Sequence, residues 1–250
     1  MIRLAHMGDV HQIAALIQNS FDADLRPYMV YAQHGAAAFL AGYIRYSRLS
    51  DRLLIVAEDE AGAVGGFAEF RLAAVPAPAH LAYICVHPSM QGRGCAKAMI
   101  RHFTAQTGVQ NLDLYVFASN LSALALYRTL GFEVLGETGW FTRPVPAAVS
   151  GEPIFVSNLP TAVATFDHFG FCELQIAGTT GGEKVGRIGA SVLRCASVRT
   201  FTHDNLLARL ADSFSDVREA LLIAPDDPGI GQLVNRSIRM GGTIRIPERH

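Results

Sequence analysis

The stretch Gln91-Gly92-Arg93-Gly94-Cys95-Ala96 is the part of this 250-residue chain best equipped for chemistry. Before it lies an apolar, partly β-branched run (Leu81, Tyr83, Ile84, Val86) closed by Pro88; after it the spacing of Ala96, Met99, Ile100 and Phe103 is helical. A strand, a glycine turn and a helix in that order aim unpaired N–H groups and the positive end of the helix at one point. Such a point binds phosphate, and Gly92 and Gly94 let the backbone approach it closely. Taken alone, the two glycines read first as an ordinary strand-to-helix turn with a capping role. The stretch lacks both the G-x-G-x-x-G of a dinucleotide site and the Gly-Lys-Ser/Thr of a P-loop. Cys95 sits at a helix N-terminus, where a thiolate is favoured, but a loop that binds phosphate leaves a catalytic thiolate the lesser reading.

The elements that must position this turn follow from periodicity and punctuation. Leu112 to Asn120 reads as a strand running into a polar cap, and Leu121 to Leu130 as a helix bearing Tyr127, followed by Gly131-Phe132. Upstream, Ile2–Ala5 is a short strand, and Asp9 is placed to cap a helix whose inner face is Val10, Ile13, Ala14, Leu16 and Ile17. A second helix, about Ala36 to Tyr46, carries Phe39, Leu40, Tyr43 and Ile44 on one side. Leu53–Ala57 and Val64–Leu72 form a hairpin about Asp59–Gly62, and Pro76 and Pro78 mark a loop. The fold class is α/β: a mixed sheet with helices on both faces.

Two motifs on these elements resemble those of the GNAT superfamily of N-acetyltransferases. One is V-x-P-x-x-Q-x-x-G-x-A (Val86, Pro88, Gln91, Gly94, Ala96); the other is N-x6-Y-x3-G-F (Asn120, Tyr127, Gly131, Phe132). The resemblance covers roughly Met1 to Pro146. It implies a GNAT acyl-CoA N-acyltransferase fold and acetyl-CoA as co-substrate, its pyrophosphate on the N–H groups of Gln91, Gly92, Arg93, Gly94, Cys95 and Ala96. It implies that the pantetheine arm lies along the backbone of Ile84, Cys85 and Val86, with Asn120 bonding the arm or capping its helix. Val86 N–H becomes the oxyanion donor, and Tyr127 the general acid that protonates the leaving thiolate. Family members often use a carboxylate on the central strands as base; here the candidates are His80 and Glu69, beside water or no dedicated base. Tyr28, Tyr31, Tyr43 and Tyr46 are either walls of the acceptor pocket or ordinary core aromatics. The implied activity is transfer of acetyl to a primary amine of a small molecule or peptide by direct attack in a ternary complex. The alternative is a non-catalytic acyl-CoA-binding regulatory module.

Composition narrows the partners. A net charge of −1 gives no overall field for nucleic acid or an anionic membrane. The longest apolar runs fall short of a membrane span, and Asp9 and His11 interrupt any signal pattern at the N-terminus. Cys85, Cys95, Cys172 and Cys195 have no metal-ligand spacing and read as buried thiols in a reducing cytoplasm, so no metal is expected. A homodimer stays open.

Beyond Trp140–Pro146 the chain is less legible. Two domains are expected, 1–146 and 151–250, with Ala147–Glu152 as linker. In the second, Glu152–Val156 reads as a strand, Thr161–Phe169 as a helix capped by Thr161, and Phe171–Ala177 and Lys184–Cys195 as strands joined at Gly178–Gly182. His203-Asp204-Asn205 caps a helix, Leu221–Ala224 is a strand, Ile230–Met240 a helix, and Gly241–Ile246 a returning strand. That order suggests a degenerate second copy of the first half, with Ser237 where Tyr127 stands and no glycine between Val192 and Leu210 to form a phosphate turn. An unrelated α/β appendage is the competing reading.

Overall fold

The computed structural model describes residues 1–73, 78–147, 152–177 and 182–244. Pro76, most of the expected linker 147–152, the turn 178–182 apart from Gly182, and the end of the expected strand 241–246 lie outside the described residues. In chain order the first elements are β1 (Ile2–Leu4), α1 (Val10–Ser20), α2 (Ala36–Arg45), β2 (Arg52–Glu58), β3 (Val64–Arg71), β4 (Ala79–Val86), α3 (Cys95–Thr107), β5 (Asn111–Phe117), α4 (Leu121–Thr129) and β6 (Glu133–Pro144). They continue with α5 (Leu159–Phe169), β7 (Phe171–Gln175), β8 (Lys184–Ile188), β9 (Val192–Cys195), α6 (Val198–Phe201), α7 (Asp204–Ser213), β10 (Glu219–Ala224) and β11 (Gln232–Thr243).

The chain forms two compact units, and they differ from a simple division near residue 150. The first takes Met1–Asp22, Ala37–Glu137 and the chain from Ser237; the second takes Ala23–Ala36 and Thr138–Arg236.

In the first unit the strand order is β1-β2-β3-β4-β5-β11. β1 to β4 pair antiparallel, β4 and β5 parallel, and Ser237–Thr243 of β11 antiparallel to β5. Side chains alternate across a strand. Ala68 and Phe70 of β3, Ala79 and Leu81 of β4, Leu112 and Leu114 of β5, and Met240 of β11 pack in one core with Met99, Ile100 and Phe103 of α3 and Leu124 and Tyr127 of α4. Phe103 stacks on Phe70 at 3.9 Å between centroids. The alternate residues Glu69, Arg71, His80, Asp113 and Arg239 therefore stand on the opposite face of the sheet.

Two local expectations are corrected here. Asp9 precedes α1 but its carboxylate does not cap it; it accepts from Arg3 at 2.7 and 3.0 Å and from His6 N–H at 2.8 Å. Ile230–Met240 is no helix but most of β11. Val234 and Ile238 have helical spacing, yet Ser237 and Met240 are buried in the strand and Leu233 and Val234 are exposed.

The second unit has the strand order β6-β10-β9-β8-β7. β7, β8 and β9 are successively antiparallel, the helices α6 and α7 follow, and β10 returns parallel to β9. This is the sequence of pairings β2-β3-β4, α3, β5 over again. Its core gathers Leu174, Val185, Leu193, Phe201, Leu206, Leu207, Ala220 and Leu222. No counterpart of α4 occurs among the described residues, so Ser237 does not stand in Tyr127's place: it lies on β11 opposite Phe117. Residues 152–155 are not strand, and Val156 makes a single bridge to Ile176. Thr161 lies inside α5, which begins at Leu159. Lys184–Cys195 is two strands, divided at Gly189, whose φ of +55° reverses the chain.

Met240 is fully buried in the first unit's core although it lies far along the chain. Met240→Ala should lower the unfolding free energy by about 2–5 kcal/mol, read from denaturant melts. Val234→Ala, at a half-exposed position of the same strand, should stay within about 0.5 kcal/mol.

Candidate active site

The turn after β4 has the expected build. Pro88–Met90 form a single 3-10 turn, Gly92 and Gly94 take φ of +73° and +76°, and Gly94 is the N-cap of α3. A glycine cap has no side chain to satisfy the helix's first donors. The first backbone bond into α3 is Ala98 N–H to Gly94 C=O, at 2.9 Å. The N–H groups of Cys95, Ala96 and Lys97 thus precede the helical ladder. A Cβ built on Gly92 or Gly94 meets nothing within 4 Å. Gln91 folds back instead, donating from Nε2 to Val86 C=O at 2.9 Å and tying the turn to the strand. Arg93 is exposed, 4.0 Å from an exposed Glu60. Gly65 of β3 permits the whole arrangement, because its Cβ would fall 2.0 Å from the Met90 sulfur.

Beside the turn the sheet parts. β4 pairs with β5 only at Ala79–Leu81, opposite Leu112–Leu114. The β3 register shows why: Phe70 faces Leu81 and Glu69 faces Tyr83, which leaves Ala82 as an extra residue in β4. A bulge bends its strand and adds twist. β3 keeps its hold on β4 up to Val86, while Tyr115–Phe117 of β5 pair with β11. From Ala82 onward, β4 faces a gap.

The register also decides which residues face that gap. His87 N–H donates to Gly65 C=O at 2.8 Å. In an antiparallel pair, bonded and non-bonded positions alternate. The backbone groups of Val86 and Ile84 therefore point away from β3, into the gap, and those of Cys85 point to β3. The expectation that Cys85 backbone lines the pantetheine path is corrected accordingly. Its thiol is buried, and burial pushes it up to about 12 against hydrogen bonds from Ser20 and the Phe67 backbone. Burial likewise raises the Cys95 thiol, which leaves it protonated despite the helix N-terminus.

Asn120 takes the capping role: its Oδ1 accepts from Ala123 N–H at 3.1 Å and from the Ser122 hydroxyl at 3.0 Å. Tyr127 is 4% exposed and packs on Phe132 at 5.6 Å between centroids. Burial alone pushes its phenol well above the ordinary tyrosine value, so it holds its proton at neutral pH.

The two candidate bases differ sharply. Glu69 is fully buried and ion-paired to Arg52, with Arg71 Nε at 3.5 Å; Arg52 in turn lies 4.2 Å over the Tyr43 ring. A buried carboxylate held between two guanidinium groups is a structural anchor. His80 is partly exposed, and its Nδ1 lies 2.7 Å from Asp113 Oδ1. Neither Asp113 nor Arg239, whose Nη2 donates to Asp113 Oδ2 at 2.6 Å, was visible from sequence. The signal was present in Asp113, an acidic residue alternating with Leu112 and Leu114 on a buried strand. Of the four tyrosines, Tyr31 is core, Tyr43 sits under Arg52, Tyr46 is exposed, and Tyr28 donates to the Glu219 carboxylate at 3.2 Å.

The second unit has neither feature. β9 pairs with β10 along its whole length, Val192–Cys195 opposite Glu219–Leu222, so no gap opens. Its helix N-terminus at α6 is capped by Ser197, which accepts from Thr200 N–H at 3.2 Å.

Residues 50–134 match the family model for the acetyltransferase (GNAT) domain. The matched residues lie within the first unit. Among solved structures, a tandem GNAT protein from the clavulanic acid biosynthesis pathway matches 97% of this chain and 98% of its own, with a TM-score of 0.69 at 14% identity. A GCN5-related N-acetyltransferase from Sphaerobacter thermophilus matches 98% of this chain and 96% of its own, with a TM-score of 0.59 at 17% identity. The likeness is one of fold. No curated protein matches the sequence. Among the described residues no cluster of three metal-ligating side chains occurs, and no helix is long and apolar enough to cross a membrane.

Gly94→Glu tests the turn, since it adds a carboxylate there and forces a side chain onto a φ of +76°. Calorimetry on the folded variant should show acetyl-CoA affinity reduced tenfold or more, about 1.4 kcal/mol. Unchanged affinity removes the turn from the site.

Proposed function

We propose that the first unit transfers an acetyl group from acetyl-CoA to a primary amine of a small molecule or peptide, by direct attack within a ternary complex. The observation that carries this reading is the parting of β4 from β5 beside a glycine-capped helix N-terminus. One supplies open backbone groups for an extended amide-bearing arm, the other unpaired N–H groups for its pyrophosphate. The fit is good for Ile84, Val86, Gln91, Gly92, Gly94, Cys95 and Ala96, and poor for the Cys85 backbone. Arg93 is free to approach a phosphate, and Asn120 keeps its Nδ2 for the arm while its Oδ1 caps α4.

When bound, acetyl-CoA supplies a thioester carbonyl as the electrophile. The chain's own groups do the rest. Val86 N–H, aimed into the gap, stands as the donor for the carbonyl oxygen. Tyr127 lies on the α3–α4 side of the sheet and holds a proton that it can give to the leaving sulfur. His80 lies on the other side, two residues before the extra Ala82, and takes the proton that the attacking nitrogen loses. Acid and base thus flank the gap from opposite faces, so the proton gained and the proton lost do not compete for one group. Glu69, committed to Arg52, is not assigned a proton step. The closed β9–β10 pair and the self-capped α6 argue for a single coenzyme site per chain.

Two measurements check this. Titration of the full chain should give one acetyl-CoA per chain; two would assign a second site to the second unit. Thiol release from acetyl-CoA should be followed over a panel of primary amines, including a diamine, an amino sugar and a dipeptide. With the best of these, Tyr127→Phe should lower kcat by ~10²-fold or more with acetyl-CoA affinity nearly unchanged. Coenzyme binding with no thiol release from any amine, in wild type and variant alike, would instead favour a non-catalytic acyl-CoA-binding module.

A further inference from the structure

The three residues His80, Asp113 and Arg239 come from three neighbouring strands and meet on one face. Asp113 sits directly opposite His80 in the parallel register, and Arg239 is opposite Tyr115 on β11. Asp113 is 8% exposed, and both of its oxygens are engaged: Oδ1 with His80 Nδ1 at 2.7 Å, Oδ2 with Arg239 Nη2 at 2.6 Å. An ionised carboxylate only accepts hydrogen bonds, and guanidinium only donates. The contact with His80 therefore requires the proton on Nδ1, which leaves the lone pair on Nε2. Arg239 occupies the second oxygen, so the carboxylate cannot turn away. The Tyr115 ring, 5.9 Å from the imidazole, and Arg71, the β3 residue opposite His80, complete its surroundings.

We propose that Asp113 and Arg239 are positioning residues for His80, fixing its tautomer so that Nε2 is the proton acceptor for the attacking amine. This rests on the reading of His80 as base. The proton balance is simple. As the nitrogen–carbonyl bond forms and the carbon–sulfur bond breaks, Nε2 takes the nitrogen's proton, Tyr127 gives one to sulfur, and the Nδ1 proton stays on the ring against Asp113. Arg239 belongs to the same compact unit as His80 but is encoded far from the GNAT motifs, so the site is completed by the end of the chain.

Asp113→Asn discriminates this role from mere packing. Arg239 can bond only the amide oxygen, which turns the amide N–H toward His80 Nδ1. That nitrogen must then accept, and the proton moves to Nε2. The expected result is a fall in kcat of ~10²-fold with acetyl-CoA affinity and melting temperature nearly unchanged. Imidazole nitrogen NMR should report the Nδ1–H form in the wild type and the Nε2–H form in the variant. The double variant Asp113→Asn/Arg239→Leu frees the amide to present its oxygen and should regain the Nδ1–H form and part of kcat. Wild-type protein in the Nε2–H form overturns the proposal whatever the variants do. Should His80→Gln keep full kcat with the best amine of the panel, the base reading itself fails. Should His80→Gln lose kcat while Asp113→Asn keeps it, only the positioning role fails.

Discussion

A parallel strand pair that stops after Leu81 is the constraint on which the rest of this molecule depends. Parallel strands buried on both sides normally pair to their ends, because an unpaired backbone group away from water costs free energy. Here one extra residue, Ala82, turns β4 aside while β3 holds its other edge. β5 keeps β11 on its other edge from Asn111 to Phe117. The Val86 and Ile84 backbone faces that opening and the glycine turn follows the same strand, while Tyr127 and His80 stand on opposite sides of the sheet.

The two units share an order of strand pairing and differ at two places. Their pairings run in the same order, and in each a helical segment follows the strand that precedes the parallel return. The first unit caps that helix with Gly94, which offers nothing to its donors; the second caps it with Ser197, whose hydroxyl and the Thr200 hydroxyl satisfy the donors internally. An end already satisfied gains little from a phosphate. Full pairing of β9 with β10 closes the other requirement. The second unit makes hydrogen bonds at both places where the first leaves backbone groups open.

Sequence reading reached the first unit well because its cues are local. Val10, Ile13, Ala14, Leu16 and Ile17 are the buried residues of α1 as their spacing foretold, and the hairpin β2–β3 and the strand-turn-helix at Gly94 followed from periodicity and punctuation. It failed where the deciding partner is distant. Nothing near residue 235 tells a strand from a helix, since helical spacing of Val234 and Ile238 competes with the alternation of Ile238 and Met240; pairing with β5 settles it. Asp9 had the right type for a cap but found a stronger partner in Arg3. The candidate bases were separable only by their neighbours, for Glu69 and His80 are both polar residues at central strands until Arg52 and Asp113 are placed beside them.

The placement of β11 has a temporal consequence. Thr243 donates to Asn111 at 2.8 Å across 132 residues of chain, and the stretch between them includes Thr138–Arg236 of the second unit. During synthesis at ~5–20 residues per second, β5 waits on the order of ten seconds for its partner edge. The exposed edge of β5 is in that interval a template for any other strand. Loop-closure entropy rises only logarithmically with length, so the second unit costs little as a connector, and still less once folded. The first unit can gain β11, and with it Met240 in its core, only after residues 138–236 have been made.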